Sequence, residues 1–268
     1  MLRILYKMGV KSYFRNKTAL FWSFGFVLVW IFIYAFAFPT PEKTDLLGVE
    51  ASYMSFIFLF GVSVASTSII FYTVSMNLSI PYITRFDKVK SYEVSSGNLL
   101  SSMSFGFSVA IFAIIMSLVI FKLRYNSISI KNIPMFIIII ALVSIFYIIL
   151  GIIMAYIFTL LRQIKAIRFA GEIPMILVFV FVLGLQIFRE PSQNLVYYSP
   201  FNEEFTLSMY SILGKPMLDY YNFTLNVSLL LLGFSCWIIS MALVALLLEK
   251  IYEHSSGRNQ YTLEDVFR

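Results

Sequence analysis

Ionisable and nucleophilic chemistry is scarce in this sequence. It contains one histidine, His254, and one cysteine, Cys236, among 268 residues. An internal disulfide is therefore excluded, and the single thiol says nothing about redox compartment. A zinc or haem site has too few of its usual ligands. His254 stands beside Glu253 in a polar stretch and reads as a solvated surface residue. An intramembrane protease of the Glu-Glu type needs further metal-binding or base residues, and Glu203–Glu204 has none near it in sequence. A phosphate-cradling loop is missing too. Gly214–Lys215 resembles the end of one, but Met209 stands where its first glycine belongs and Pro216 replaces the Ser/Thr. The chain is not expected to hydrolyse ATP by itself, and no metal or cofactor is expected on it.

Charge is the second shortage. Only 13% of the residues are charged and 60% are hydrophobic, whereas a soluble domain carries roughly 25% charged residues. Apolar runs near or above the length of a membrane-spanning helix recur along the chain. The expected class is an all-α polytopic membrane protein. The net charge of +6 raises nucleic acid as a partner, but the basic residues sit at the ends of apolar runs. There they set topology and meet anionic lipid, so membrane lipids are the expected partner and nucleic acid is not. No cleavable signal peptide is expected, because the first apolar run begins late and runs too long.

Six spans are expected, at about 19–38, 51–78, 98–121, 133–160, 173–188 and 223–248. Ahead of the first, Arg3, Lys7, Lys11 and Arg15 recur every fourth residue. On a helix they form a basic stripe, with Leu2, Ile4, Leu5, Met8, Val10, Tyr13 and Phe14 on much of the remainder. Such a helix lies at the membrane interface; a generic orientation signal is the alternative. Along the second span Ser52, Ser55, Ser63, Ser66 and Thr73 fall on one face at helical spacing. Small and hydroxyl side chains in a stripe mark close helix packing or line a polar translocation path. The fifth run is short, about 24 Å of helix, with Pro174 in its first turn. Between it and the last span, 189–222 is rich in tyrosine, proline and acids and is expected as broken helices dipping into the membrane from outside.

Between spans two and three lies the polar stretch Pro81–Gly97, carrying Arg85, Asp87, Lys88, Lys90 and Glu93. The charge-free run before it is longer than a bilayer needs. The second helix is therefore expected to project into the cytoplasm and turn at Pro81. With six spans and an inside N-terminus, 14 of the 20 Lys and Arg fall on the cytoplasmic side, as the positive-inside rule asks. The loop with Lys122, Arg124 and Lys131 is the one that offends it. The span cores hold no ionisable residue, and Gln186 is the most polar side chain near one. Asn222 and Asn226 begin glycosylation sequons.

This order of features is similar to the type-2 ABC (ATP-binding cassette) exporter permeases over essentially the whole chain. Arg15–Phe32 resembles the family's Arg-Asn start to span one, and Lys90–Leu100 its coupling-helix exit, with Glu93 at the usual acidic position. Tyr197–Phe205 resembles the Asn-Pro-aromatic turn before the last span. The pattern that precedes the coupling helix is present only as Arg85-Phe86-Asp87, without its glycine, and Gly97 stands where proline is frequent. The resemblance implies one permease domain at 1–250 with a cytoplasmic tail at 251–268, in the plasma membrane, both termini cytoplasmic. A second permease copy or a homologue completes the channel. Two cytoplasmic ATPase subunits bind ATP and Mg and drive outward transport. On the coupling helix Tyr82, Phe86, Val89 and Tyr92 would insert in an ATPase groove, with Arg85, Asp87, Lys88, Lys90 and Glu93 at its rim. The tail segment Thr262–Arg268 looks like a motif of the ATPases themselves; a short helix there that binds one is one reading, and a frayed tail with a chance similarity is the other.

An ordinary amphipathic loop helix without a partner is the other reading of Pro81–Gly97. A stand-alone membrane enzyme, channel or assembly factor is the other reading of the chain. Uncharged, aromatic spans suit amphipathic cargo such as drugs, peptides or lipids better than ions.

Overall fold

The computed structural model describes residues 2–38, 46–87, 90–125, 130–161, 166, 169, 171–183, 193–214 and 225–256. At 80–87, 91, 183, 193–195 and 255–256 it describes the backbone alone. All regular structure among the described residues is helical, and five helices are long and apolar enough to cross a membrane. Helix α1 is Leu2–Arg15. Helix α2, Lys17–Ala37, contains π turns at Phe21–Gly25 and Ile33–Ala37. Then follow α3 (Leu46–Asp87), α4 (Ser91–Tyr125) and α5 (Ile133–Leu160). The short helix α6, Ile173–Val178, runs into a π turn, Phe179–Leu183. Helices α7 (Gln193–Tyr198), α8 (Pro200–Leu213) and α9 (Val227–Ser256) complete the described chain.

Lipid offers no hydrogen bonds to the free amides of a helix start, so the chain supplies its own. Asparagine does so three times. Asn16 Oδ1 accepts from the amides of Thr18 and Ala19 at 3.1 and 3.2 Å. Asn132 Oδ1 accepts from Met135 N at 3.2 Å, and Asn226 Oδ1 from Leu229 N at 3.2 Å. At the far end of α8, Gly214 closes the helix in the left-handed region at φ 69 and donates to the Tyr210 carbonyl at 2.8 Å. A β-carbon there would also sit 2.9 Å from Lys131 Cβ. Gly214→Ala is therefore expected to cost about 1–2 kcal/mol, read as a lower thermal midpoint of the chain in detergent. Gly214→Asn should recover part of that loss.

Helix α3 is the hub. It packs on α4, α5, α6 and α8, and 83% of its apolar window is buried, against 11% for α9. An aromatic cluster docks α6 on it: the Phe179 ring lies 5.3 Å from Trp30, 5.7 Å from Phe56 and 5.3 Å from Phe60, centroid to centroid. Leu5, Val94, Tyr156 and Tyr252 pack together, so the starts of α1 and α4 and the ends of α5 and α9 share one end of the bundle. At the opposite end Tyr125 Oη donates to the carbonyls of Tyr34 and Ala35, and the Lys131 amide donates to Ile212 O at 3.1 Å.

One expectation is corrected by the helix bounds. Helix α3 does not turn at Pro81 but continues to Asp87. Proline removes the donor that would serve the carbonyl four residues earlier, here Asn77. Tyr252 Oη donates to that carbonyl instead, at 2.6 Å, so the helix carries its proline without losing the bond. The apolar run expected at 173–188 is helical over 173–183, about 16 Å, and 184–188 lie outside the described residues. The last span, expected at about 223–248, lies on a helix that begins at Val227. This helix runs on to Ser256, with Tyr252 buried, so the start of the expected tail belongs to the bundle; 257–268, with the ATPase-like motif, lie outside the described residues.

Candidate functional site

The residues expected to meet an ATPase divide between two helices. Tyr82, Arg85, Phe86 and Asp87 lie on the last turns of α3, where the backbone alone is described; Lys88 and Val89 lie outside the described residues. Lys90 precedes α4, and Tyr92 and Glu93 fall in its first turn. Glu93 reaches back to accept from the Lys90 amide at 3.3 Å, which is the side-chain half of a capping box. Tyr92 is exposed, with Lys90 Nζ over its ring at 5.7 Å. The described backbone thus brings these residues to one end of the bundle, on two helix termini and not on one separate helix.

The hydroxyl stripe is buried along its whole length: Ser52, Ser55, Ser63, Ser66 and Thr73, and one turn further Asn77. Thr73 Oγ1 accepts from Asn98 Nδ2 at 3.1 Å, and a β-carbon on Gly151 would lie 2.8 Å from Ser66 Oγ. At Thr73 the stripe meets α4 and at Ser66 it meets α5 closely, so these two positions lie in helix–helix contacts.

The basic stripe of α1 is exposed at Arg3, Lys7, Lys11 and Arg15. Its opposite face, Leu5, Gly9 and Tyr13, is buried on α4. A β-carbon on Gly9 would strike Ser101, and Tyr13 Oη bonds Ser102 Oγ at 2.9 Å. Burial pushes the Tyr13 hydroxyl well above its ordinary pKa, so this hydrogen-bonded contact carries no charge.

A second site lies at Glu203–Glu204, an acidic pair with no metal-binding or base residue near it in sequence. Helix α8 is buried on nearly every side, a pattern of helices enclosed by protein, and it carries Glu203 and Glu204 inside. Both are 0% exposed. Glu204 Oε1 accepts from Tyr147 Oη of α5 at 2.5 Å, a short bond between two fully buried groups. Glu204 Oε2 and both oxygens of Glu203 have no hydrogen-bond partner among the described residues. Glu203 Oε1 lies against Gly233 of α9, at the spot a side chain would occupy. Tyr147 stands 14 residues, about 21 Å, along α5, so the pair sits well inside the bundle. No family model matches this chain, and no curated protein does.

Two features keep the acids tolerable. The first turn of α8 holds Glu203, where the helix dipole favours negative charge, and Tyr147 serves Glu204. A carboxylate buried without a cation is otherwise costly as an anion. The pair is thus equipped to hold a proton or to receive a positively charged group. Among the described residues no three metal-ligating side chains come together. The sequence did contain a signal. Ser199-Pro200 followed by acids is a helix start, and Phe205, Met209 and Ile212 then share one apolar face with Leu207 on the opposite side. The many tyrosines and prolines on either side hid it as irregular chain.

Proposed function

We propose that this chain is the membrane permease subunit of an ATP-driven exporter of the type-2 ABC class, moving an amphipathic substrate outward across the plasma membrane. The ATPases are separate cytoplasmic subunits that bind ATP and Mg, two per complex, and a second permease copy or homologue completes the channel. The observation that carries the reading is the extension of α3. Its apolar part is already longer than a bilayer core of about 30 Å, and two further helical turns, Pro81–Asp87, follow. They emerge at the end of the bundle where basic α1 packs, which suits a lever reaching into the cytoplasm. The start of α1 and the end of α9 also share that end. This supports an even number of crossings with both termini on one side; α6 to α8 would together supply the sixth, with α7 and α8 as the hairpin that dips in from outside.

The test is a charge-reversed, aromatic-stripped segment, Arg85→Glu with Phe86→Ala, in the chain co-expressed with an ATPase subunit that co-purifies with the unaltered chain. Expected is at least a fivefold fall in transport per ATP hydrolysed, with the chain still folded. Unchanged coupling and unchanged ATPase capture would overturn the reading.

One observation favours a second reading, a membrane carrier or enzyme acting alone: the Glu203–Glu204–Tyr147 cluster supplies the buried titratable groups such proteins use. Conductance, proton flux or catalysis by the purified chain in liposomes without any ATPase would decide for it.

A further inference from the structure

A groove of about 380 Å³ opens on the exposed face of α9, in the size range of small-molecule sites. Glu203 forms its floor, Tyr197, Tyr198 and Trp237 contribute aromatic walls, and Gly233 and Cys236 leave the space open. Leu229 and Leu232 continue it as apolar surface, both more than half exposed. Small residues along a helix would by themselves indicate only a packing face. The difference here is the carboxylate behind them. Glu203 is fully buried, both of its oxygens lack a hydrogen-bond partner among the described residues, and its carboxyl reaches the groove past the missing side chain of Gly233.

We propose that this groove binds the ammonium group of an amphipathic amine, with the apolar chain of the ligand lying along α9. A carboxylate with two vacant acceptor oxygens demands a donor or a cation. Aromatic walls attract an organic ammonium through their π faces. A bare calcium or magnesium ion needs six or more oxygen ligands, or retained waters, and the lining does not offer them. An anionic head group meets the carboxylate and is rejected. The mouth is apolar, so the ligand arrives from the bilayer. Two sources share this chemistry, the amino head group of a phospholipid and a free alkylamine. The site stands on the groove alone and holds whether or not an ATPase docks on the chain.

The sole cysteine lines the groove and is exposed, so the unmodified protein carries its own reporter. The full chain in phosphatidylglycerol nanodiscs is alkylated at Cys236 with N-ethylmaleimide, with or without dodecylamine or dodecanol. Expected is a saturable slowing of at least fivefold by dodecylamine and none by dodecanol, with the protection weakened at least tenfold in apparent affinity in E203Q. If E203Q does not assemble, W237L is the second variant, with a smaller expected loss. Adding phosphatidylethanolamine separates the sources: competition with dodecylamine assigns the site to a lipid head group, and its absence to a free amine, either supporting an ammonium site. Equal protection by dodecanol, or unchanged protection in both variants, would overturn the proposal. So would ready oxidation to a Cys236–Cys236 dimer in the presence of amine, because a second copy would then cover the groove.

Discussion

Replacing Tyr252 with phenylalanine is expected to unwind α3 from its far end while leaving its buried half intact. Pro81 has no amide to offer the Asn77 carbonyl, and Tyr252 Oη, 175 residues away in the chain, fills that vacancy at 2.6 Å. The bond is buried, so removing the donor leaves an orphaned acceptor at a cost of about 1–3 kcal/mol. The loss falls on the turns beyond Asn77. Amide exchange over 82–87 should quicken by about tenfold, the equivalent of 1.4 kcal/mol, while exchange over 56–70 stays as it was. Pro81→Ala supplies the tests with an internal control. Alanine restores the N–H that Asn77 lacks, so Tyr252→Phe should cost far less in that background, a coupling that a double-mutant cycle reads directly. Additive effects of the two changes would show that Tyr252 does not serve this carbonyl. If α3 is the lever that meets an ATPase, Tyr252→Phe should also lower transport per ATP, because a frayed lever transmits less displacement.

That contact also marks where the sequence stops being legible. The five long helices follow from apolar length alone, since lipid permits no other way to satisfy so much backbone. The basic stripe of α1 follows equally from its period, and the structure leaves Arg3, Lys7, Lys11 and Arg15 exposed. Which apolar face of α1 is buried does not follow from α1 itself. Leu5, Gly9 and Tyr13 are chosen by Gly97, Ser101 and Ser102 on α4, small residues that let two helices approach. Pro81 reads as a stop in the sequence because proline breaks helices locally; the donor that rescues the helix comes from a distant element. The carboxylate pair is hidden for a related reason. A buried acid is identified by what surrounds it, and Tyr147 and Gly233 lie 57 and 30 residues from their respective partners, Glu204 and Glu203.

Substituting Glu203 and Glu204 with methionine, one at a time, is expected to move stability in opposite directions. Glu203 is fully buried with neither oxygen bonded among the described residues. Methionine has a similar length and no polar atoms to desolvate, and an unpartnered buried polar group costs about 1–3 kcal/mol. E203M should therefore raise the thermal midpoint of the chain in detergent by that order. Its neighbour differs, because Glu204 accepts from Tyr147. E204M strands the Tyr147 hydroxyl in the bundle and should lower the midpoint by about 1–3 kcal/mol, and Tyr147→Phe added to it should recover most of the loss. The contrast is measurable by thermal unfolding of three variants beside the unaltered chain. A destabilising E203M would mean that the carboxyl has a partner in the membrane, and the ammonium site would then be occupied in the purified protein. A stabilising one carries a different implication. Sequences keep a destabilising polar group where function requires it, so E203M should gain stability and lose amine protection of Cys236 together. Those two readouts moving in opposite senses in a single variant would separate a binding carboxylate from one that merely packs.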